Sequence, residues 1–172
     1  MDIAKFNQFV RDIYNTDQFI PLHEPRFIGN EKKYVLDTIE STFVSSVGAF
    51  VTDFEEKIQT FTGSKRAVAT VNGTAALHVA LLMAGVQRED IVITQALTFV
   101  ATCNALSYIG AEPLFVDVSL KTLGLCPKAL DEYLEEHAFI DDLGVCRHKN
   151  SNKRISAIVP MHTFGHPVDM DK

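Results

Sequence analysis

Short apolar segments alternate with helix-like segments through the later part of the chain, and this alternation restricts the possible folds more than any other feature. The segments RAVATV, DIVIT, EPLFVDV and ISAIVPM have the nearly continuous apolar character of strands buried on both faces. A helix-like stretch follows each of the first three. Strands and helices that alternate in this way form βα units, so the sequence predicts an α/β fold with a mostly parallel sheet.

Helices without strands are predicted for the first part of the chain. Apolar residues at helical spacing predict three of them, over about residues 3–14, from Asn30 as a cap to about Phe43, and over residues 50–61 before a terminal Gly63. We therefore expect an N-terminal helical segment, residues 1–63, followed by an α/β part, residues 64–172. Within the second part, the polar stretch DDLGVCRHKNSNKR predicts an exposed loop.

Composition excludes several classes of function. A formal charge of −6 argues against a nucleic-acid partner, which needs a basic surface. No apolar run is long enough to span a membrane, and the first residues lack the apolar core of a signal peptide, so we expect a cytoplasmic protein. The three cysteines form no CxxC pair. The two histidines of HTFGHP are not expected to share one helix face, because a glycine and a proline in this segment disfavour a helix. We expect reduced thiols and no metal site.

The turn NGTAAL lies where the first strand should lead into a helix, at the edge of the sheet where ligands bind. It lacks the lysine of a nucleotide P-loop, and no GxGxxG supports a dinucleotide-binding dehydrogenase domain. The N–H groups of Gly73, Thr74 and Ala75, the hydroxyl of Thr74 and the helix dipole together suit a single terminal phosphate. A simple helix cap without a ligand is the alternative reading of the same turn.

A second segment, TQALTFVAT, ends the next strand and places Phe99 at the start of a helix. An aromatic ring at this point could stack on a flat heteroaromatic ring, although a buried core phenylalanine has the same spacing. A phosphate site beside a stacking aromatic matches the needs of pyridoxal 5'-phosphate.

The quoted segments, with FIPLHEPRFIGNEKKYV, FVSSVGAFVTDFEEKI and IVPMHTFGHPVDMD, occur in an order that resembles the DegT/StrS family of pyridoxal-phosphate-dependent nucleotide-sugar aminotransferases. TQALTFVAT and PMHTFGHPVD are most similar to LegC-type members. The resemblance implies part of the large domain of fold type I, a homodimer, and amination of a UDP-linked 4-keto-6-deoxy sugar for nonulosonic acid or surface polysaccharide biosynthesis. Glutamate is the implied amino donor.

The resemblance also implies roles for individual residues. Gly73, Thr74 and Ala75 align with the turn that holds the cofactor phosphate, and Phe99 aligns with the aromatic that stacks on the pyridine ring. Asn72 stands where the family usually has serine, and it can still cap the helix.

Three further positions are implied to lie near the substrate. Ser46 and Gly48 belong to the segment that aligns with the family's substrate and dimer contacts. His162 follows a strand end that faces the site, where the alternative is a histidine hydrogen-bonded to a loop.

No catalytic residue is assigned within these 172 residues. In the family, the lysine that forms a Schiff base and the acid at the ring nitrogen follow the HTFGHP segment, beyond Lys172. We therefore expect the N-terminal part of such an enzyme, inactive alone, with the first half of the cofactor-binding domain. A sugar dehydratase of the same family, in which histidine replaces the lysine, and a non-catalytic binding module are the alternatives.

Overall fold

A computed structural model describes residues 2–21 and 24–172, which form two compact units. The N-terminal unit extends to Ala67, and the C-terminal unit comprises Val68–Lys172. Among the described residues, no helix has both the length and the apolar character needed to cross a membrane.

Three helices form the N-terminal unit, namely α1 (Ile3–Tyr14), α2 (Glu31–Ser41) and α3 (Ala49–Thr62). Gly63 ends α3 in the left-handed conformation at φ +71°, as the sequence predicts. The cap predicted for Asn30 is wrong in detail, because its side chain makes no capping hydrogen bond among the described residues. The carboxylate of Glu31 instead accepts the N–H of Gly29 at 2.9 Å.

The C-terminal unit alternates helices and strands, in the order α4 (Gly73–Met83), β1 (Ile91–Gln95), α5 (Val100–Ile109), β2 (Glu112–Val116), α6 (Pro127–His137), β3 (Ala138–Ile140), β4 (Cys146–His148) and β5 (Ile155–Val159). The main sheet has the order β2-β1-β5, and both pairings are parallel. In its register Ile93 lies opposite Leu114 and Ile158. The predicted α/β alternation with a parallel sheet is confirmed.

The central strand β1 is buried on both faces, which explains its apolar sequence. Val92 packs with Leu81 of α4 and Leu106 of α5, whereas Ile93 packs on the other face with Val116 and the α6 side chains. Successive residues of a strand point to opposite faces, so helices must cover both sides of β1. Two helices lie on one face and α6 lies on the other.

The segment RAVATV, residues 66–71, is not the buried strand that the sequence predicts. It is not assigned to any strand of the described sheets, and Val68 and Val71 are 82% and 89% exposed. A strand becomes regular by hydrogen bonding to a neighbour, and the described sheet ends at β2 and β5, neither of which takes this segment.

The polar stretch from Asp141 to Arg154 is not only a loop, because β3 and β4 form an antiparallel hairpin around its first half. The Asp141 carboxylate accepts the N–H groups of Leu143 at 2.9 Å and Val145 at 3.0 Å, and also pairs with Arg147 Nε at 2.6 Å. These local hydrogen bonds stabilise the turn, so a sequence with little apolar character still forms a hairpin.

Candidate functional site

Helices α4 and α5 begin at the same edge of the sheet. The carbonyl of Gly110, after α5, accepts the N–H of Glu89, just before β1, at 2.8 Å. Arg154, just before β5, likewise donates to the carbonyl of Gly85, just after α4, so both helices end where the strands begin. An eleven-residue helix and a five-residue strand both span about 16 Å, so both helices start near the carboxyl ends of the strands. His78 and Tyr108 join the two helices edge to face, with ring centroids 5.7 Å apart.

The start of α4 is capped by Asn72, as predicted, because its Oδ1 accepts the N–H of Ala75 at 2.8 Å. This hydrogen bond corrects the interpretation of Ala75. Its N–H is already engaged and is not free to bind a phosphate while the cap is in place. The structure leaves the N–H groups of Gly73 and Thr74 and the hydroxyl of Thr74, none of which has a hydrogen-bond partner among the described residues.

Space for an anion exists at these groups. A Cβ atom built on Gly73 would meet no atom within 4 Å, so the helix start is open on that side. The N-terminus of a helix carries roughly half a positive charge. Two N–H donors, one hydroxyl and this dipole fit a terminal phosphate, which is the part of pyridoxal phosphate that needs the most hydrogen bonds.

Phe99 directly precedes α5, at the helix start where the sequence predicts it, and its backbone is extended, with angles of −74° and 142°. Its side chain is 70% exposed, so the alternative of a core phenylalanine is wrong. The N–H of Phe99 donates to Met161 Sδ at 3.4 Å, which ties the start of α5 to the segment after β5. An exposed ring held at this edge offers one face to a flat ligand.

His162, after β5, is exposed, and its Nδ1 accepts the N–H of Val168 at 3.0 Å. The alternative of a histidine hydrogen-bonded to a loop is therefore confirmed. An accepting Nδ1 leaves the proton of the neutral ring on Nε2. Thr163–Gly165 forms a single 3₁₀ turn with Phe164 at φ +53°, so His162 and His166 do not share a helix face.

Ser46 and Gly48 belong to the N-terminal unit, in the connection between α2 and α3. The carbonyl of Gly48 accepts the N–H groups of Val51 at 3.1 Å and Thr52 at 3.2 Å, which starts α3. Gly48 also lines a cleft of about 440 Å³ with residues of both helices, and Ser46 is an exposed residue of the same connection.

Gln95, the last residue of β1, was missed by the sequence reasoning. Its side chain is fully buried, and Oε1 accepts the N–H groups of Leu125 at 2.8 Å and Met161 at 2.9 Å. Its Nε2 donates to the carbonyl of Leu97 at 2.8 Å and to Thr163 Oγ1 at 2.9 Å. The sequence does offer a signal for this role, namely a glutamine at the end of a mostly apolar strand. A buried amide must be hydrogen-bonded, so such a glutamine indicates polar partners nearby.

The opposite edge of the sheet is held by an ion pair. The Asp90 carboxylate, 7% exposed, accepts Arg154 Nη2 at 2.5 Å and the N–H of Gln87 at 2.8 Å. Burial raises the pKa of Asp90, but the hydrogen bonds from Arg154 and Gln87 outweigh it and hold that pKa below 3.8. Arg154 also donates to the carbonyl of Gly85, so the end of α4 is fixed to β5.

Known proteins are similar to this chain over most of its length. The GDP-perosamine synthase of Caulobacter vibrioides is 36% identical over 152 residues, which are 88% of this chain and 36% of that protein. The putative pyridoxal phosphate-dependent aminotransferase EpsN of Bacillus subtilis is 33% identical, over 89% of this chain and 37% of its own length. The chain thus spans about a third of the length of these relatives.

The fold has solved counterparts as well. The X-ray structure of an aminotransferase from Psychrobacter cryohalolentis superimposes with a TM-score of 0.70 and 30% identity, over 90% of this chain and 34% of that one. The predicted fold, part of the large domain of a pyridoxal-phosphate-dependent aminotransferase, is confirmed. The model of the DegT/DnrJ/EryC1/StrS aminotransferase family matches residues 25–172. The chain belongs to that family, whose aminotransferases use pyridoxal phosphate.

Proposed function

We propose that this chain holds the phosphate of pyridoxal phosphate and one face of its ring, within an enzyme that transfers an amino group to a nucleotide-linked keto sugar. One observation carries the proposal. The unengaged donors of Gly73 and Thr74 and the exposed ring of Phe99 lie at the starts of two adjacent helices, at the same edge of the sheet. Membership of the aminotransferase family supports it.

Each residue has a distinct task in this proposal. When bound, the cofactor supplies the electron-withdrawing ring that lets an amino group pass between an amino acid and a keto sugar. The N–H groups of Gly73 and Thr74 and the Thr74 hydroxyl fix the phosphate, and Phe99 orients the ring and keeps water from one face. His162, whose Nδ1 accepts the N–H of Val168, is assigned to the substrate through its other ring nitrogen. Ser46 and Gly48 are assigned to substrate contacts on the resemblance of their segment alone.

A titration tests the cofactor site. In the protein translated from its complete reading frame, Phe99→Ala should lower the affinity for pyridoxal phosphate by about two- to tenfold, because ring stacking contributes about 0.5–1.5 kcal/mol beyond burial. Phe139→Ala, which removes a partly exposed ring on the hairpin, is the matched control. Equal affinity in the two variants would contradict the role of Phe99.

We propose a 4-keto-6-deoxy sugar as the substrate, with glutamate as the amino donor, for nonulosonic acid or surface polysaccharide biosynthesis. The resemblance to LegC-type enzymes favours UDP as the nucleotide, whereas a relative named GDP-perosamine synthase favours GDP. Assays with UDP-linked and GDP-linked keto sugars, followed by the release of 2-oxoglutarate, separate the two. A protein that binds the cofactor but forms no 2-oxoglutarate with either sugar would be the dehydratase or the non-catalytic module.

We further propose that the complete protein is a homodimer and that the segment from Phe43 to Gly48 lies near the partner's site. The support is the family resemblance of that segment and its apolar, exposed side chains, among them Phe43, Val44 and Val47. Sedimentation equilibrium combined with an activity assay tests this proposal. A fully active monomer would overturn it.

A further inference from the structure

The amide of Gln95 joins three separate segments at the edge of the sheet where the candidate site lies. Leu97 follows β1 and precedes Phe99 by two residues. Leu125 belongs to the turn before α6. Met161 and Thr163 follow β5 and are the sequence neighbours of His162. The amide makes a hydrogen bond of 2.8–2.9 Å to each of these four residues.

A second connection runs from Gln95 to Phe99 through Met161. The N–H of Met161 donates to Gln95 Oε1, and its sulfur accepts the N–H of Phe99 at 3.4 Å. The same sulfur also lies 3.4 Å from the Thr98 hydroxyl. Gln95 therefore fixes the start of α5 twice, once through the carbonyl of Leu97 and once through the Met161 side chain.

The segments that Gln95 joins include strained backbone. Leu123 and Phe164 have φ angles of +58° and +53°, a region that side-chain-bearing residues occupy at a cost. The carbonyl of Leu123 accepts Thr163 Oγ1 at 2.9 Å, and Thr163 in turn accepts a hydrogen bond from Gln95. Strain of this kind persists only where surrounding contacts over-determine the conformation, and such places cluster at ligand sites.

Core packing alone does not require an amide at this position. Burying an amide is unfavourable unless every polar atom is hydrogen-bonded. Val92 and Ile93 of β1 are buried with no polar side-chain atom, and the hydroxyl of the buried Thr94 donates one hydrogen bond, to the carbonyl of Val159. The donors and acceptors of Gln95 are instead matched to loop atoms at the site edge. This pattern is the one expected of a residue that orients other residues.

We infer that Gln95 is a positioning residue, which sets the place of the Phe99 ring relative to the loop that carries His162. It touches neither cofactor nor substrate and acts through Leu97 and Met161. The inference rests on the proposed function, because it assigns a purpose to the position of Phe99 within that site.

A fluorescence experiment tests the inference without cofactor. The chain contains no tryptophan, so the indole introduced by Phe99→Trp reports on this position once the emission of the parent protein is subtracted. Adding Gln95→Leu should lower the anisotropy of this emission in the folded protein, since the backbone that carries the indole is no longer held. Gln87→Leu, at an exposed glutamine of the same unit, should leave it unchanged.

Gln95→Glu provides a second variant if Gln95→Leu does not fold. It preserves the volume and both accepted hydrogen bonds but removes the donor to Leu97, so the anisotropy should again fall. If Gln95 had a purely structural role, its substitution would lower the melting temperature and leave the anisotropy of the folded protein unchanged. Unchanged anisotropy in a folded Gln95 variant would overturn the inference.

A double-mutant cycle then links Gln95 to cofactor binding in the protein from its complete reading frame. Gln95→Leu alone should weaken pyridoxal phosphate binding by about tenfold at most. A larger loss is not expected, because removal of the stacking ring itself costs no more than that. In the Phe99→Ala background, the same change should alter the affinity by less than twofold. Equal losses in both backgrounds would show that Gln95 does not act through Phe99 and would reject the inference.

The two proposals fail in different ways. If the proposed cofactor site is wrong, Phe99→Ala leaves the affinity for pyridoxal phosphate unchanged, while Gln95→Leu still lowers the anisotropy. If only the inference about Gln95 is wrong, Phe99→Ala weakens binding, and the Gln95 variants retain the anisotropy of their parent.

Discussion

Thr74→Val tests the phosphate site most directly, because it removes one hydroxyl and preserves the shape of the side chain. Thr74 is the second residue of α4, half-buried, and its hydroxyl makes no hydrogen bond within the described part of the chain. The variant therefore loses no intramolecular hydrogen bond. We therefore expect a loss of cofactor affinity from the missing contact with the phosphate.

The magnitude follows from the charge of the ligand. A hydrogen bond to a charged group contributes roughly 1.5–3 kcal/mol, which corresponds to about a tenfold to hundredfold change in affinity. The N–H groups of Gly73 and Thr74 remain in the variant, so binding should be weakened but not abolished.

The assay compares two ligands that differ only in the phosphate. Pyridoxal phosphate should lose at least tenfold in affinity on Thr74→Val, whereas pyridoxal, which lacks the phosphate, should bind equally to both proteins. Thr60→Val, at an exposed threonine whose hydroxyl donates to the carbonyl of Glu56, is the control for removing a helix hydroxyl. An equal loss for both ligands would refute the reasoning, because the residue would then act through folding.

Three further predictions concern stability, each measured as the free energy of unfolding in urea. Asn72→Ala should lower it by about 0.5–2 kcal/mol because α4 loses its cap, and Asn72→Ser should restore most of it. Asp90 has a depressed pKa, so its bond to Arg154 stabilises the protein above about pH 4, and this contribution is lost as the pH falls through the lower pKa of the folded state. Asp90→Asn should therefore flatten the acid limb of the stability profile, and an unchanged limb would contradict the pairing. Gly124→Ala should cost about 1–3 kcal/mol because the new methyl group overlaps the side chain of Val168, and Val168→Ala should relieve most of that cost.

The regular elements of the C-terminal unit could be predicted because their signals are local. An apolar run such as Ile91–Gln95 requires burial on both faces, and the helices around it supply that burial. The turn at Asn72 was predictable for the same reason, since a cap depends on residues three positions apart. The position of Phe99 followed from the end of the preceding strand.

Features that depend on distant neighbours could not be predicted in the same way. Residues 66–71 have the composition of a strand, but regular pairing needs a neighbouring strand that composition does not specify. The hairpin at β3 and β4 was missed for a different reason, because local hydrogen bonds to the Asp141 carboxylate form it in a stretch with little apolar character. The role of Gln95 depends on partners up to 68 positions away in the sequence, so only the fold reveals it.

The left-handed residues Leu123 and Phe164 have a consequence for engineering the protein toward heat resistance. The left-handed conformation costs each of these residues about 1–2 kcal/mol, whereas glycine adopts it freely. Glycine at either position would therefore relieve strain in the native state. Phe164 is 89% exposed and loses little packing on such a change. A selection for thermal stability would therefore accept Phe164→Gly, while the loop that follows β5 became looser around His162. On the proposed role of His162, stability and activity are expected to move in opposite directions at this one turn.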